Sequence, residues 1–139
     1  MQKRLLLLLL FIPSLALAAP EVPTEFLGDW VPQSATCQSP LKFQVEAKRV
    51  LLINGSQSKI FGNIDVCYTC EGGAQYSGNV VWLLPEFGRK SNSSFTANFN
   101  AEEKLGVVKL AIENLDLKKQ FPLHQVALKH CANTVRRNN

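Results

Sequence analysis

The sequence holds none of the short motifs that announce a reaction. It has no Gly-x-Ser-x-Gly elbow, no His-Glu-x-x-His pair and no phosphate-binding glycine loop, and only two histidines occur in 139 residues. The readily recognised serine hydrolases, zinc peptidases and nucleotide-dependent enzymes are thereby set aside. Excess charge is scarce too, at 15 basic against 11 acidic residues. A nucleic-acid groove needs basic and aromatic residues in a cluster, and no such cluster is present. No segment carries a helical stripe: the best candidate, residues 101–110, contains Gly106 and two adjacent valines and reads as strand. A membrane span of about 20 apolar residues is also missing, since residues 5–12 are the longest such run.

That run has the setting of a cleavable export signal. Lys3 and Arg4 precede it, Pro13 and Ser14 break it, and Ala16-Leu17-Ala18 supplies the small-x-small pattern of a cleavage site. Cleavage is expected after Ala18. Because no cysteine follows the cut directly, no lipoprotein anchor is expected, and the mature chain is expected to be soluble and periplasmic or secreted. Removing residues 1–18 leaves 121 residues, enough for one domain with one core. The signal holds two of the basic residues and no acidic ones, so the mature charge is +2. Arg136 and Arg137 place much of the excess in a solvated tail, residues 132–139.

Residues 19–25 read as an extended arm, because Pro20 and Pro23 bias it away from regular pairing. Residues 26–131 read as short strands separated by turn signals. Leu41, Phe43 and Val45 alternate with Lys42, Gln44 and Glu46, the period of a half-buried strand. Residues 49–53 and 57–61 flank Asn54-Gly55, a dipeptide suited to a two-residue hairpin turn. Ile64, Val66, Tyr68 and Cys70 share one face of the next segment. Further strands are expected at residues 76–84, 95–99, 105–112, 115–119 and 123–131. Eight to ten short strands predict an all-β domain, a small antiparallel barrel or sandwich.

The four cysteines, Cys37, Cys67, Cys70 and Cys131, all follow the signal. An even count in a small exported domain predicts two disulfides. If residues 64–70 form one regular strand, Cys67 and Cys70 point to opposite faces, with Cα atoms about 10 Å apart, and cannot pair. Each then bonds to Cys37 or Cys131. If the chain turns at Tyr68-Thr69, Cys67 bonds to Cys70 and Cys37 to Cys131. The alternation favours the strand and the adjacent Glu71-Gly72-Gly73 favours a turn, so both remain open. A redox dithiol normally sits at a helix N-terminus, and a four-cysteine zinc site normally has two close pairs. Neither context occurs here, and structural bonds are the expectation, with no metal or cofactor.

Few other residues suggest chemistry. On one last strand, His124 and His130 would lie about 20 Å apart, too far to act together. Glu71 and Glu86 flank the strand expected at 76–84 but lie in turns, where solvated carboxylates are ordinary. Asn54 and Asn92 begin glycosylation sequons.

Phe26-Leu27-Gly28-Asp29-Trp30 opens the first strand with Gly-x-Trp. This resembles the start of lipocalin-like (calycin) barrels, whose tryptophan plugs the barrel base beneath a basic residue of the last strand; that resemblance makes Lys129 the counterpart. The chain is also similar to periplasmic inhibitors of secreted metalloproteases, small barrels with a signal peptide, Gly-x-Trp and a cysteine soon after, as in Trp30 and Cys37. In that family an extended amino-terminal segment enters the protease cleft, which would assign the role to Ala19, Pro20, Glu21, Val22 and Pro23. The four cysteines, Pro20 and the lack of a C-terminal helix depart from these patterns. The expected function is a non-enzymatic binding module for a protein partner, a hydrolase inhibitor or toxin-neutralising protein. Its rivals are a carrier of a small apolar ligand inside the barrel and an enzyme with an unrecognised site.

Overall fold

Alternating apolar and polar residues become strands where one face can be buried, and here they build a single sheet. The structure, a computed structural model, describes residues 22–68, 70, 81–86, 95–101 and 104–131. Residues 1–18, where an export signal is expected, Ala19, Pro20, Glu21, Glu71, Asn92 and residues 132–139 lie outside those residues, as does the first half of the strand expected at 76–84. The strands are β1 (Gly28–Pro32), β2 (Leu41–Val45), β3 (Val50–Asn54), β4 (Gln57–Phe61), β5 (Asp65–Cys67), β6 (Val81–Leu84), β7 (Phe95–Phe99), β8 (Val107–Ile112) and β9 (Leu128–Cys131).

Their order across the sheet is β4-β3-β2-β1-β9-β8-β7-β6-β5, with every named strand pair antiparallel. Two four-strand meanders, β1–β4 and β5–β8, are therefore joined by β9. The sheet curls through 271° into an incompletely closed barrel. Beyond the β5–β6 ladder, the Glu86 amide donates to the Gly62 carbonyl in the β4–β5 connection (3.1 Å).

The concave face is packed with aromatic rings. Phe61 meets Phe95 at 5.0 Å, Phe95 meets Phe43 at 5.9 Å, Phe43 meets Phe99 at 6.4 Å, and Phe99 meets Trp30 at 5.3 Å and Phe26 at 4.4 Å. Leu52, Leu83, Leu110 and Ile112 fill the space around this chain of rings and are fully buried. The barrel's two ends are plugged. Val22 and Phe26 enter the core at one end, where the Val22 amide donates to Ala47 in the β2–β3 turn (3.4 Å). Leu117, Phe121 and Leu123 enter at the other, where Asn54 Nδ2 at the end of β3 donates to the Gln120 carbonyl (2.9 Å).

Several expectations need correction. Residues 115–119 are helical, within α1 (Leu115–Gln120): Asn114 caps the helix by accepting from the Leu117 amide (2.8 Å), and Leu117 faces the core. The last strand is β9 alone, because Gln125 takes φ +57° and ends the extension from Leu123. The β3–β4 turn is Gly55-Ser56, one residue later than Asn54-Gly55, since Asn54 pairs with Gln57 and Gly55 takes φ +60°. Of the two cysteine pairings left open, the one with a turn after the strand is found: β5 stops at Cys67. Cys67 bonds to Cys70 with Cα atoms 5.7 Å apart, and Cys37 bonds to Cys131 across 94 residues.

Candidate functional site

Three places could carry function: the Gly-x-Trp end of the barrel, the amino-terminal arm, and the convex face over β6–β8. At the first, Trp30 is 2% exposed and its indole Nε1 donates to the Phe26 carbonyl (2.9 Å). Register decides what lies beside it. Trp30 pairs with His130 and Val31 with Lys129, so Trp30 and His130 share a face while Lys129 takes the other. The His130 and Trp30 rings lie 4.8 Å apart. Lys129 instead donates from Nζ to the Gln33 carbonyl (3.0 Å), on the side where Cys131 bonds to Cys37. The residue over the indole is thus His130, which the resemblance to lipocalin-like barrels did not single out.

His130 also explains Gly28. Gly28 takes φ +123°, and a Cβ there would stand 2.8 Å from His130 Nε2. That nitrogen lies 2.9 Å from the Leu27 carbonyl. A carbonyl only accepts, so Nε2 carries a proton and donates. Gly28, Trp30 and His130 form one packed unit, in which glycine makes room for an imidazole seated against the indole. Such packing is structural: Trp30 is buried, and the ring of His130, itself an exposed residue, rests on the indole and the Leu27 carbonyl.

The arm divides at Val22. Val22 is 3% exposed and belongs to the core, so it cannot lie in a partner's cleft. Thr24–Phe26 form a 3₁₀ turn that carries Phe26 inward, with Pro23 at its cap. Any free arm is confined to residues before Val22.

On the convex face a row of directly opposed residues crosses four strands: Cys67 on β5, Trp82 on β6, Asn98 on β7 and Lys109 on β8. Trp82, Thr96, Asn98, Lys109 and Gln125 line a depression of about 280 Å³. Trp82 Nε1 is buried and has no hydrogen-bond partner among the described residues. Amide, hydroxyl and ammonium groups around an indole suit a polar ligand with one flat face better than a lipid tail. Sequence reading gave no sign of this site, because its members come from three strands and the turn at Gln125 and become neighbours only through register.

No protein-family model, curated protein or solved structure matches the chain.

The remaining polar residues serve the fold. His124 Nδ1 accepts from the Ile112 amide (3.0 Å), and His124 sits on an isolated bridge to Leu110, off the strand that holds His130. Glu46 hydrogen-bonds to Arg49 across the β2–β3 turn, and that bond and the carboxylate's charge raise the exposed guanidinium's pKa above its ordinary value. Asn54 spends its side-chain amide on Gln120. Among the described residues, no three His, Cys, Asp or Glu side chains converge as a metal site would need.

Proposed function

We propose that this protein is an exported, non-enzymatic binding module that acts on a protein partner from its outer surface, as a hydrolase inhibitor or toxin-neutralising protein does. One observation carries the reading: among the described residues, the barrel interior is filled by core side chains. A carrier needs an open apolar cavity. Here a continuous chain of rings from Phe61 to Trp30 runs through the interior, and core residues plug both ends. The Gly-x-Trp opening and early cysteine, similar to those of the periplasmic metalloprotease inhibitors, give this proposal its partner class. The signal-like amino terminus and two disulfides support an oxidising compartment, periplasmic or secreted.

The test is a paired titration of the mature protein. One arm measures inhibition across a panel of secreted peptidases and glycosidases. The other measures uptake of a fluorescent fatty acid. Stoichiometric inhibition without saturable uptake is expected. Saturable uptake at one molecule per chain, with no enzyme inhibited, would replace the inhibitor reading with the carrier. A form lacking residues 19–21, which leaves the buried Val22 in place, tests the arm: unchanged inhibition would assign binding to another surface.

A further inference from the structure

The two disulfides do different work. Cys37–Cys131 ties the segment after β1 to β9 across 94 residues, and Cys131 is 5% exposed in its ladder opposite Asp29. Cys67–Cys70 spans three residues. Cys67 ends β5, a three-residue strand at the edge of the sheet, and is half-buried; Cys70 lies beyond the strand and is exposed. We propose that Cys67 and Cys70 are a thiol–disulfide exchange site, opened and closed by an external dithiol while the domain stays folded.

Chain statistics give the first reason. Two thiols three residues apart already meet often in an unfolded chain, so folding adds little to their effective concentration. Two thiols 94 residues apart meet rarely unless the domain is folded. With loop-closure probability falling as the three-halves power of loop length, the two cases differ by roughly 100-fold. The long bond is therefore strongly linked to folding, and the short one is nearly independent of it. Topology gives the second reason. Opening the short bond leaves Asp65 paired with Leu84, Val66 paired with Leu83 and Val66 packed on the core, so among the described residues the pairing of β5 does not run through that bond.

The exchange balances as follows. A thiolate of the dithiol attacks Sγ of the exposed Cys70, the Cys67–Cys70 bond breaks, and Cys67 leaves as a thiolate. The second thiol of the reagent then attacks the mixed disulfide at the reagent's own sulfur and releases Cys70. Two electrons and two protons pass to Cys67 and Cys70, and the dithiol becomes a disulfide. Cys67 stands directly opposite Trp82, so the event takes place beside the indole of the convex depression.

Folded wild-type protein is incubated with graded dithiothreitol and alkylated, and the labelled peptides are mapped by mass spectrometry. Near-ultraviolet circular dichroism follows the fold. Cys67 and Cys70 are expected to label at dithiothreitol concentrations that leave Cys37 and Cys131 unlabelled and the spectrum unchanged. Tryptophan emission is expected to rise with labelling in the wild type and not in Trp82→Phe. As a second probe, folded Cys67→Ser should form a one-to-one mixed disulfide at Cys70 with 5,5′-dithiobis(2-nitrobenzoate). Labelling of all four cysteines together with loss of the spectrum would overturn the proposal. So would Cys67 and Cys70 resisting reduction until urea unfolds the chain.

Discussion

Replacing Gly28 with alanine would put a methyl group where His130 now sits. Gly28 has φ +123° and the new Cβ would stand 2.8 Å from His130 Nε2. The backbone conformation alone costs a non-glycine residue about 1–3 kcal/mol. Displacing the imidazole adds the lost hydrogen bond to Leu27, about 0.5–1.5 kcal/mol, and the lost ring contact with Trp30, about 0.5–1.5 kcal/mol. Gly28→Ala should therefore destabilise by about 2–6 kcal/mol. His130→Ala should cost only the latter two contributions. Once the imidazole is gone, alanine at position 28 pays backbone strain alone. The double variant should then be more stable than the sum of the singles by about 1–3 kcal/mol, measured by urea unfolding followed with far-ultraviolet circular dichroism. Lys129→Ala, tested beside them, should cost under about 1 kcal/mol, because it removes one exposed bond to a backbone carbonyl. Additivity of Gly28→Ala and His130→Ala would refute the packed unit.

Phe99→Ala should cost about 3–5 kcal/mol in the same assay, since Phe99 meets Phe26, Phe43 and Trp30 at the centre of the ring chain; a variant within 1 kcal/mol of wild type would mean the interior is loosely filled. Asn114→Ala should cost about 1 kcal/mol through loss of the α1 cap, read as a lowered urea midpoint at constant m-value. Replacing Cys37 and Cys131 together with serine should cost about 4–5 kcal/mol from the long loop alone, whereas the same change at Cys67 and Cys70 should lower the midpoint far less.

The sheet was largely legible in the sequence because period-two alternation and turn residues report a half-buried strand directly. Phe43 and Val45 on β2, and the paired runs of β3 and β4, follow that rule. The short helix was not legible by the same signal: Leu115-Asp116-Leu117 alternates like a strand. Its true markers were Asn114 before the run and Lys118 and Lys119 at its end, a capping pattern that six residues state only faintly. Gln125 at φ +57° could not be foreseen, as glutamine has no marked preference for that region. Cysteine pairing was open because a single turn after β5 decides it. The choice between Lys129 and His130 as the neighbour of Trp30 depends on a one-residue register, which charge alone does not reveal.

The strand order has a consequence for how the chain reaches this state. Each meander, β1–β4 and β5–β8, is assembled from neighbours in sequence and can form early. Neither can bury its apolar side without the other, and β9, from Leu128 onward, is the strand that brings them together. Pairing β1 with β9 closes a loop of about a hundred residues, the kind of distant contact that slows folding. Until Leu128 to Cys131 dock, Phe43 and Leu52 on one half, and Phe95 and Phe99 on the other, lie open to solvent and to other chains. The topology therefore predicts that folding waits on β9, and that the interval before β9 docks is when the chain is most exposed to aggregation.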